Sequence, residues 1–186
     1  MNWVPAVQVA TSVKETPIKK TAAIVPRAVQ ELSAARLIIP RINVDAVIRE
    51  TGITLEGAMA VPSNRVDVGW YSLGTYPGET GSAVIGGHNR WDGGIAVFDR
   101  LDQLEKGDVL SVVNAKGGST AFVVRDMRTY DATDVNSGIF ESDSGAHLNL
   151  ITCSGAWNPS TNSYTTRYVI FTDVVQAARH NAVVPI

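Results

Sequence analysis

The chain has 186 residues, 45% of them hydrophobic and 18% charged, enough to bury one sizeable core and a better fit to one domain with an appendage than to two domains. Sixteen basic against eighteen acidic side chains give a formal net charge of -2, and no basic run is interleaved with aromatics, which argues against a nucleic-acid partner. The single cysteine cannot close an intramolecular disulfide, and no apolar run approaches the roughly eighteen to twenty residues that span a bilayer.

From Met1 to about Val25 the sequence has no sustained period and is interrupted by Pro5 and Pro17, so it reads as an extended leader. Ala28, Val29, Leu32 and Ala35 then recur at helical spacing behind Pro26, which predicts a short amphipathic helix over Arg27 to Arg36. Residues 1–35 are thus expected to form a leader, 36–176 the compact domain and 177–186 a tail. Within the domain, Leu37-Ile38-Ile39, Ile42-Asn43-Val44 and Ala46-Val47-Ile48 are short β-like runs, and Val66 to Trp70 alternates apolar and polar residues. The turn chemistry of Pro77-Gly78-Glu79-Thr80-Gly81 leads into a strand that runs out at Gly86-Gly87-His88. Val97, Phe98, Leu101 and Leu104 predict a helical turn or two, and Val109 to Asn114 with Thr120 to Tyr130 predict a hairpin. Asp131 to Ala146 reads as a polar loop, unusually long for a compact domain and therefore of functional interest. A strand follows over Leu148 to Cys153, with Gly155 expected to end its pairing, then a second loop from Gly155 to Thr165 and a closing strand from Arg167 to Thr172. The fold class is all-β, a closed single domain with one or two short helices.

Cys153 stands at the end of its strand, where a thiol is easily presented to a cleft, although a free cysteine also fits the part of a small buried hydrophobe. With ordinary pKa values of about 8.5 for Cys and 6.5 for His, roughly 3% of a thiol is thiolate at pH 7, so a catalytic cysteine wants a histidine beside it. Three histidines are available. His147 lies six positions before Cys153 on one extended segment, near 20 Å away at about 3.3 Å per residue. His180 lies in the tail, where nothing in the pattern holds it. His88, at the end of a glycine-flanked strand, remains, its other reading being a solvated loop histidine. Acyl transfer also needs a donor for the oxyanion. Arg167, fourteen positions after Cys153, can return beside the thiol on the next strand, or be a surface arginine. One cysteine and scattered histidines do not make a zinc site, Asp131, Asp134, Glu141 and Asp143 read as flexible surface acids, and no metal or cofactor is expected.

These residues resemble the sortases, cysteine transpeptidases that attach proteins to the cell wall of Gram-positive bacteria. Leu150-Ile151-Thr152-Cys153 resembles the family's motif of a hydrophobic residue, any residue, Thr and Cys, Gly87-His88 its histidine site, and Thr166-Arg167-Tyr168-Val169 its arginine strand, in the order His, Cys, Arg. Asp67-Val68-Gly69-Trp70-Tyr71, Gly81-Ser82-Ala83-Val84 and Ala96-Val97-Phe98 extend the likeness over about Leu37 to Val174, and Cys153-Ser154-Gly155 followed by Trp157 is most similar to class F. The resemblance implies an eight-stranded antiparallel sortase-type β-barrel in which His88, Cys153 and Arg167 converge. It implies a substrate as well: a secreted protein with a C-terminal Leu-Pro-any-Thr-Gly type signal, cleaved after Thr through a thioester and passed to an amine of peptidoglycan or pilin. Thr152 is expected to shape the groove floor or simply to favour the strand, and Trp157 to wall the groove or cap the barrel. Family members act at the extracellular face of the cell envelope, held by an N-terminal membrane segment that this sequence does not show and that is expected to precede Met1. A hydrolytic cysteine protease using the same His88 and Cys153, or a non-catalytic β-barrel surface module, are the alternatives. A papain-like arrangement has its cysteine ahead of its histidine, the reverse of the order here.

Overall fold

The computed structural model describes residues 35–175 apart from 56, 135–137 and 143. Most of the helix expected over Arg27 to Arg36, and the tail with His180, lie outside the described residues. Its last two positions do not continue a helix: Ala35 is buried in the core and Arg36 opens the first strand.

Ten strands follow in chain order: β1 (Arg36–Ile39), β2 (Val44–Thr51), β3 (Val68–Tyr71), β4 (Gly81–Gly86), β5 (Arg90–Trp91), β6 (Gly94–Ile95), β7 (Val109–Val113), β8 (Ser119–Asp131), β9 (Ala146–Asn158) and β10 (Ser163–Val174). Eight close into a barrel in the order β1-β2-β3-β4-β9-β10-β8-β7, with β7 pairing back onto β1, and β5 and β6 form a separate ribbon. The described helices are two short 3-10 turns, Pro40–Ile42 and Leu101–Gln103. The first splits the expected Ile42-Asn43-Val44 run, because Asn43 takes a left-handed conformation with φ of 58° and caps the turn through its N–H to the Pro40 carbonyl.

The closed all-β barrel agrees with the sequence reading, but its ladders are not all antiparallel. The β2–β3 and β4–β9 pairs run parallel. Parallel neighbours cannot be joined by a hairpin, so the chain between β2 and β3, and the much longer stretch between β4 and β9, must cross from one end of the barrel to the other. Those crossovers supply the walls of the site.

Two further corrections concern β9. Gly155, with φ of 78°, does not end the pairing. The positive φ is absorbed as a register shift opposite Tyr164 to Thr166, a bulge, and the strand continues to Asn158. The expected loop from Gly155 to Thr165 therefore shrinks to a tight connection between Asn158 and Ser163.

Alternation along the strands sorts the apolar residues into two clusters. Leu148, Leu150 and Ile170 point into the barrel with Leu37, Ile85, Phe122 and Leu110, all at most 1% exposed. Val84, Val169 and Phe171 point outward, yet they too are buried, because Ile139 and partly buried Met59, Tyr71, Tyr130 and Ile151 cover them. This explains why all six residues of β4 are buried: it has core on one face and a covered outer face on the other.

Candidate active site

Cys153 and Arg167 are cross-strand partners on β9 and β10, and Arg167 is in turn the partner of Tyr130 on β8. Directly opposed residues send their side chains to the same face of a sheet. Thiol, guanidinium and phenol therefore form one row on the outer face, and all three line a single cavity of about 510 Å³. The half-buried cysteine is the chain's only thiol.

His88 reaches the same cavity from the end of β4. The glycines before it matter for approach rather than for φ. A Cβ on Gly87 would stand 2.7 Å from Phe98 Cδ2 and 2.9 Å from Val97 Cγ1, and one on Gly86 would stand 2.9 Å from Val61 Cγ1. The segment is then tied to β9. The Gly87 N–H donates to the Ile151 carbonyl at 3.2 Å, and the Thr152 hydroxyl donates to the Gly87 carbonyl at 2.8 Å. The imidazole itself is held by two contacts. Nε2–H donates to the Pro62 carbonyl at 2.9 Å, since a carbonyl can only accept, and the ring packs on Trp91 with centroids 4.5 Å apart.

Arg167 is partly committed. Nη1 donates to the Tyr164 and Thr166 carbonyls and Nη2 to Ser163 Oγ, each at 3.0 Å. Those bonds use three of its five N–H groups and hold the guanidinium at the start of β10.

The rest of the cavity divides by chemistry. Ile53, Met59, Val61, Ile139 and Phe140 from the two covering loops are apolar, and Asp131 and Asp134, at and just past the end of β8, are acidic. The Asp131 carboxyl is held below the ordinary carboxylate range by the hydroxyl of Thr133 and then by its backbone N–H, so it is ionised at neutral pH. The loop is pinned in turn by Asn149, whose Nδ2 donates to the Ile139 carbonyl at 2.6 Å from a fully buried position on β9.

Trp157 does not line the cavity. It stands half exposed near the tip of the β9–β10 hairpin and packs edge-on against Tyr164 at 5.3 Å. His147 is committed elsewhere, with Nδ1 against Asp173 at 2.8 Å and Nε2 donating to the Ser144 carbonyl at 2.7 Å. Among the described residues no group of three His, Cys, Asp or Glu side chains could hold a metal ion.

A thiol, an imidazole and a guanidinium line one cavity, in the chain order His, Cys, Arg, and these are the group types that nucleophilic acyl transfer calls on. The family model of the sortase domain matches residues 37–175, nearly the whole described part of the chain. The chain belongs to the sortase family. It is accordingly a sortase-type cysteine transpeptidase. Among solved structures, this sortase is 26% identical to sortase C-1 from Actinomyces oris, with a TM-score of 0.60 over 77% of this chain and 74% of that one. A lid mutant of sortase C1 from Streptococcus agalactiae matches at 22% identity and a TM-score of 0.60, covering 80% of this chain and 70% of that chain. A lid mutant of sortase A from Corynebacterium diphtheriae matches at 20% identity and a TM-score of 0.61, covering 80% and 73% respectively. The last two likenesses carry the fold alone, and none of the three is a class F enzyme. No curated protein matches this sortase significantly.

Sequence reasoning missed Tyr130, Asp131 and Asp134 as cavity residues, the Pro62 carbonyl under His88, and the apolar caps. None of them carried a usable signal, since the pairing of Arg167 with Tyr130 appears only when β8 and β10 lie side by side.

Proposed function

We propose that this sortase cleaves a Leu-Pro-any-Thr-Gly type sorting signal between Thr and Gly and transfers the acyl group to an amine, with Cys153 as nucleophile. The Cys153 thiolate adds to the Thr carbonyl carbon, and Arg167, with the N–H groups it keeps outside its three internal bonds, donates to the oxygen that becomes negative. Collapse breaks the Thr–Gly C–N bond while His88 gives its proton to the leaving amine, leaving a thioester on Cys153. An incoming amine then adds to the thioester, His88 takes its proton, and Cys153 leaves as thiolate with the new amide complete.

The observation that carries this reading is the side-by-side pairing of Cys153 with Arg167 at a cavity that also receives His88. The apolar wall of Ile53, Met59, Val61 and Ile139 suits the Leu-Pro end of such a signal. Thr152 acts under the groove, through its bond to Gly87. Trp157, outside the cavity lining, would meet a substrate only where it extends past the cavity along the β9–β10 hairpin. The partners are secreted proteins with a C-terminal sorting signal and an amine of peptidoglycan or pilin. The place of action is the extracellular face of the cell envelope. No described helix is long and apolar enough to cross a membrane, so attachment would use another segment.

The test incubates the native protein and Cys153→Ala with a fluorogenic Leu-Pro-any-Thr-Gly peptide, with and without a glycine-type amine, and reads products by mass. Ligated product from the native protein alone is expected. Cleavage that never yields ligation would make the enzyme a hydrolase, and failure on a whole peptide library would overturn the proposal.

A further inference from the structure

The parallel ladder between β4 and β9 stops one rung short of the nucleophile. Alternate carbonyls of a strand face the same neighbour, so after the Ile151 carbonyl, which accepts from the Gly87 N–H, the next β9 acceptor facing β4 is that of Cys153. The backbone of residues 88–89 has turned away by then. The His88 carbonyl accepts from the Phe98 N–H at 2.9 Å and the Asn89 carbonyl from the Ala96 N–H at 3.1 Å. The side chain of Asn89 fills the missing rung, its Nδ2 donating to the Cys153 carbonyl at 3.0 Å across sixty-four residues of sequence.

His88 is therefore bracketed. On one side Gly87 is fastened to β9 by its N–H and by the Thr152 hydroxyl, and on the other Asn89 is fastened to the nucleophile residue itself. We propose that Asn89 is a positioning residue that sets the register between His88 and Cys153, by extending the β4–β9 ladder through a side chain where the backbone leaves it. Without that bond Gly87 is the remaining tie to β9 among the described residues around His88, whose other contacts, to Phe98, Pro62 and Trp91, fix it to the crossover loops rather than to the strand of the nucleophile. Misplacement of a catalytic group by 1 Å can cost on the order of 100-fold in rate. Asparagine suits the place because its amide presents an N–H donor to a carbonyl, which a carboxylate of the same shape cannot do.

The inference rests on the His88–Cys153 pair proposed above, and a test independent of any sorting signal separates the two. Cys153 is the only thiol, so iodoacetamide alkylation followed by intact mass reports it alone. The native protein, His88→Ala, Asn89→Ala, Asn89→Gln and the His88→Ala/Asn89→Ala double variant are compared from pH 5 to 10, with thermal melts to check folding. Asn89→Ala is expected to change the alkylation rate about fivefold to tenfold in the direction of His88→Ala and to move the pH profile the same way. Asn89→Gln, which keeps the donor, is expected to stay nearer the native rate, and Asn89→Ala is expected to add nothing in the His88→Ala background. The proposal is overturned if folded Asn89→Ala stays within twofold of native, if Asn89→Gln is as impaired as Asn89→Ala, or if the Asn89 effect persists without His88. If His88→Ala itself leaves Cys153 unchanged, the catalytic pairing fails and Asn89 fails with it.

Discussion

Thr152 sits beside the nucleophile with only 5% of its surface exposed, and its hydroxyl is spent on the Gly87 carbonyl rather than on the cavity. Replacing it with valine keeps the shape and removes the donor, leaving a buried carbonyl without this partner. A net hydrogen bond of this kind is worth about 1 kcal/mol, and an orphaned partner costs about 1–3 kcal/mol. Thr152→Val is therefore expected to lower stability by about 1–2 kcal/mol, read as a shift in the urea midpoint at unchanged slope. It is also expected to loosen His88, read as slower peptide cleavage; a variant with native stability would show that the bond is dispensable. Cys153 and His88 were legible because cysteine and histidine are scarce in this chain, and Arg167 because of its spacing after the cysteine. Asn89 and Tyr130 were not, since asparagine after a strand and tyrosine at a strand end are ordinary, and only their partners across the fold give them meaning.

Among the elements, β4 and its glycine exit decide whether the site forms. A Cβ at Gly87 would enter the side chains of Phe98 and Val97, one of them fully buried in the barrel core. Relief must come from the core or from the β4 exit, and overpacking of this kind costs about 1–3 kcal/mol. Gly87→Ala is expected to lower the melting temperature and to reduce transfer activity more than its stability loss accounts for, because the displaced segment carries His88. Activity that remained native in the folded fraction would contradict this. The strands themselves were readable from alternation, but their ends were not. β9 runs through Gly155 because the bulge opposite Thr165 and Thr166 accepts a positive φ inside a paired strand, where the sequence alone presents glycine as a stop.

At the scale of the whole barrel, stability carries a pH dependence at its alkaline end. Burial, and to a lesser degree the charge of Asp102, raises the pKa of Tyr168, whose side chain packs against the inner core. The folded state thus keeps a proton that the unfolded chain releases near pH 10, so unfolding releases a proton and stability falls as pH rises past that point. The native protein is expected to lose melting temperature above about pH 10 more steeply than Tyr168→Phe, which has no phenol to ionise. Equal slopes would mean that other groups govern alkaline unfolding. On the acid side, Asp126 is shifted down by Arg128 and Lys106, but this ion-pair group lies at the surface, with both basic partners exposed, and solvent screens it.

The amino-acid sequence by itself determined the all-β class, the chain order of histidine, cysteine and arginine, and the strands that lead to or carry them. These are local matters, carried by two-residue periodicity and by the scarcity of reactive side chains. Only the tertiary structure decided that β4 and β9 run parallel, that two crossover loops bury the outer face into a cavity, and that the Asn89 amide completes the ladder at Cys153. Strand direction and the partners of polar groups depend on contacts between residues far apart in sequence, and periodicity along one strand has no information about which strand lies beside it.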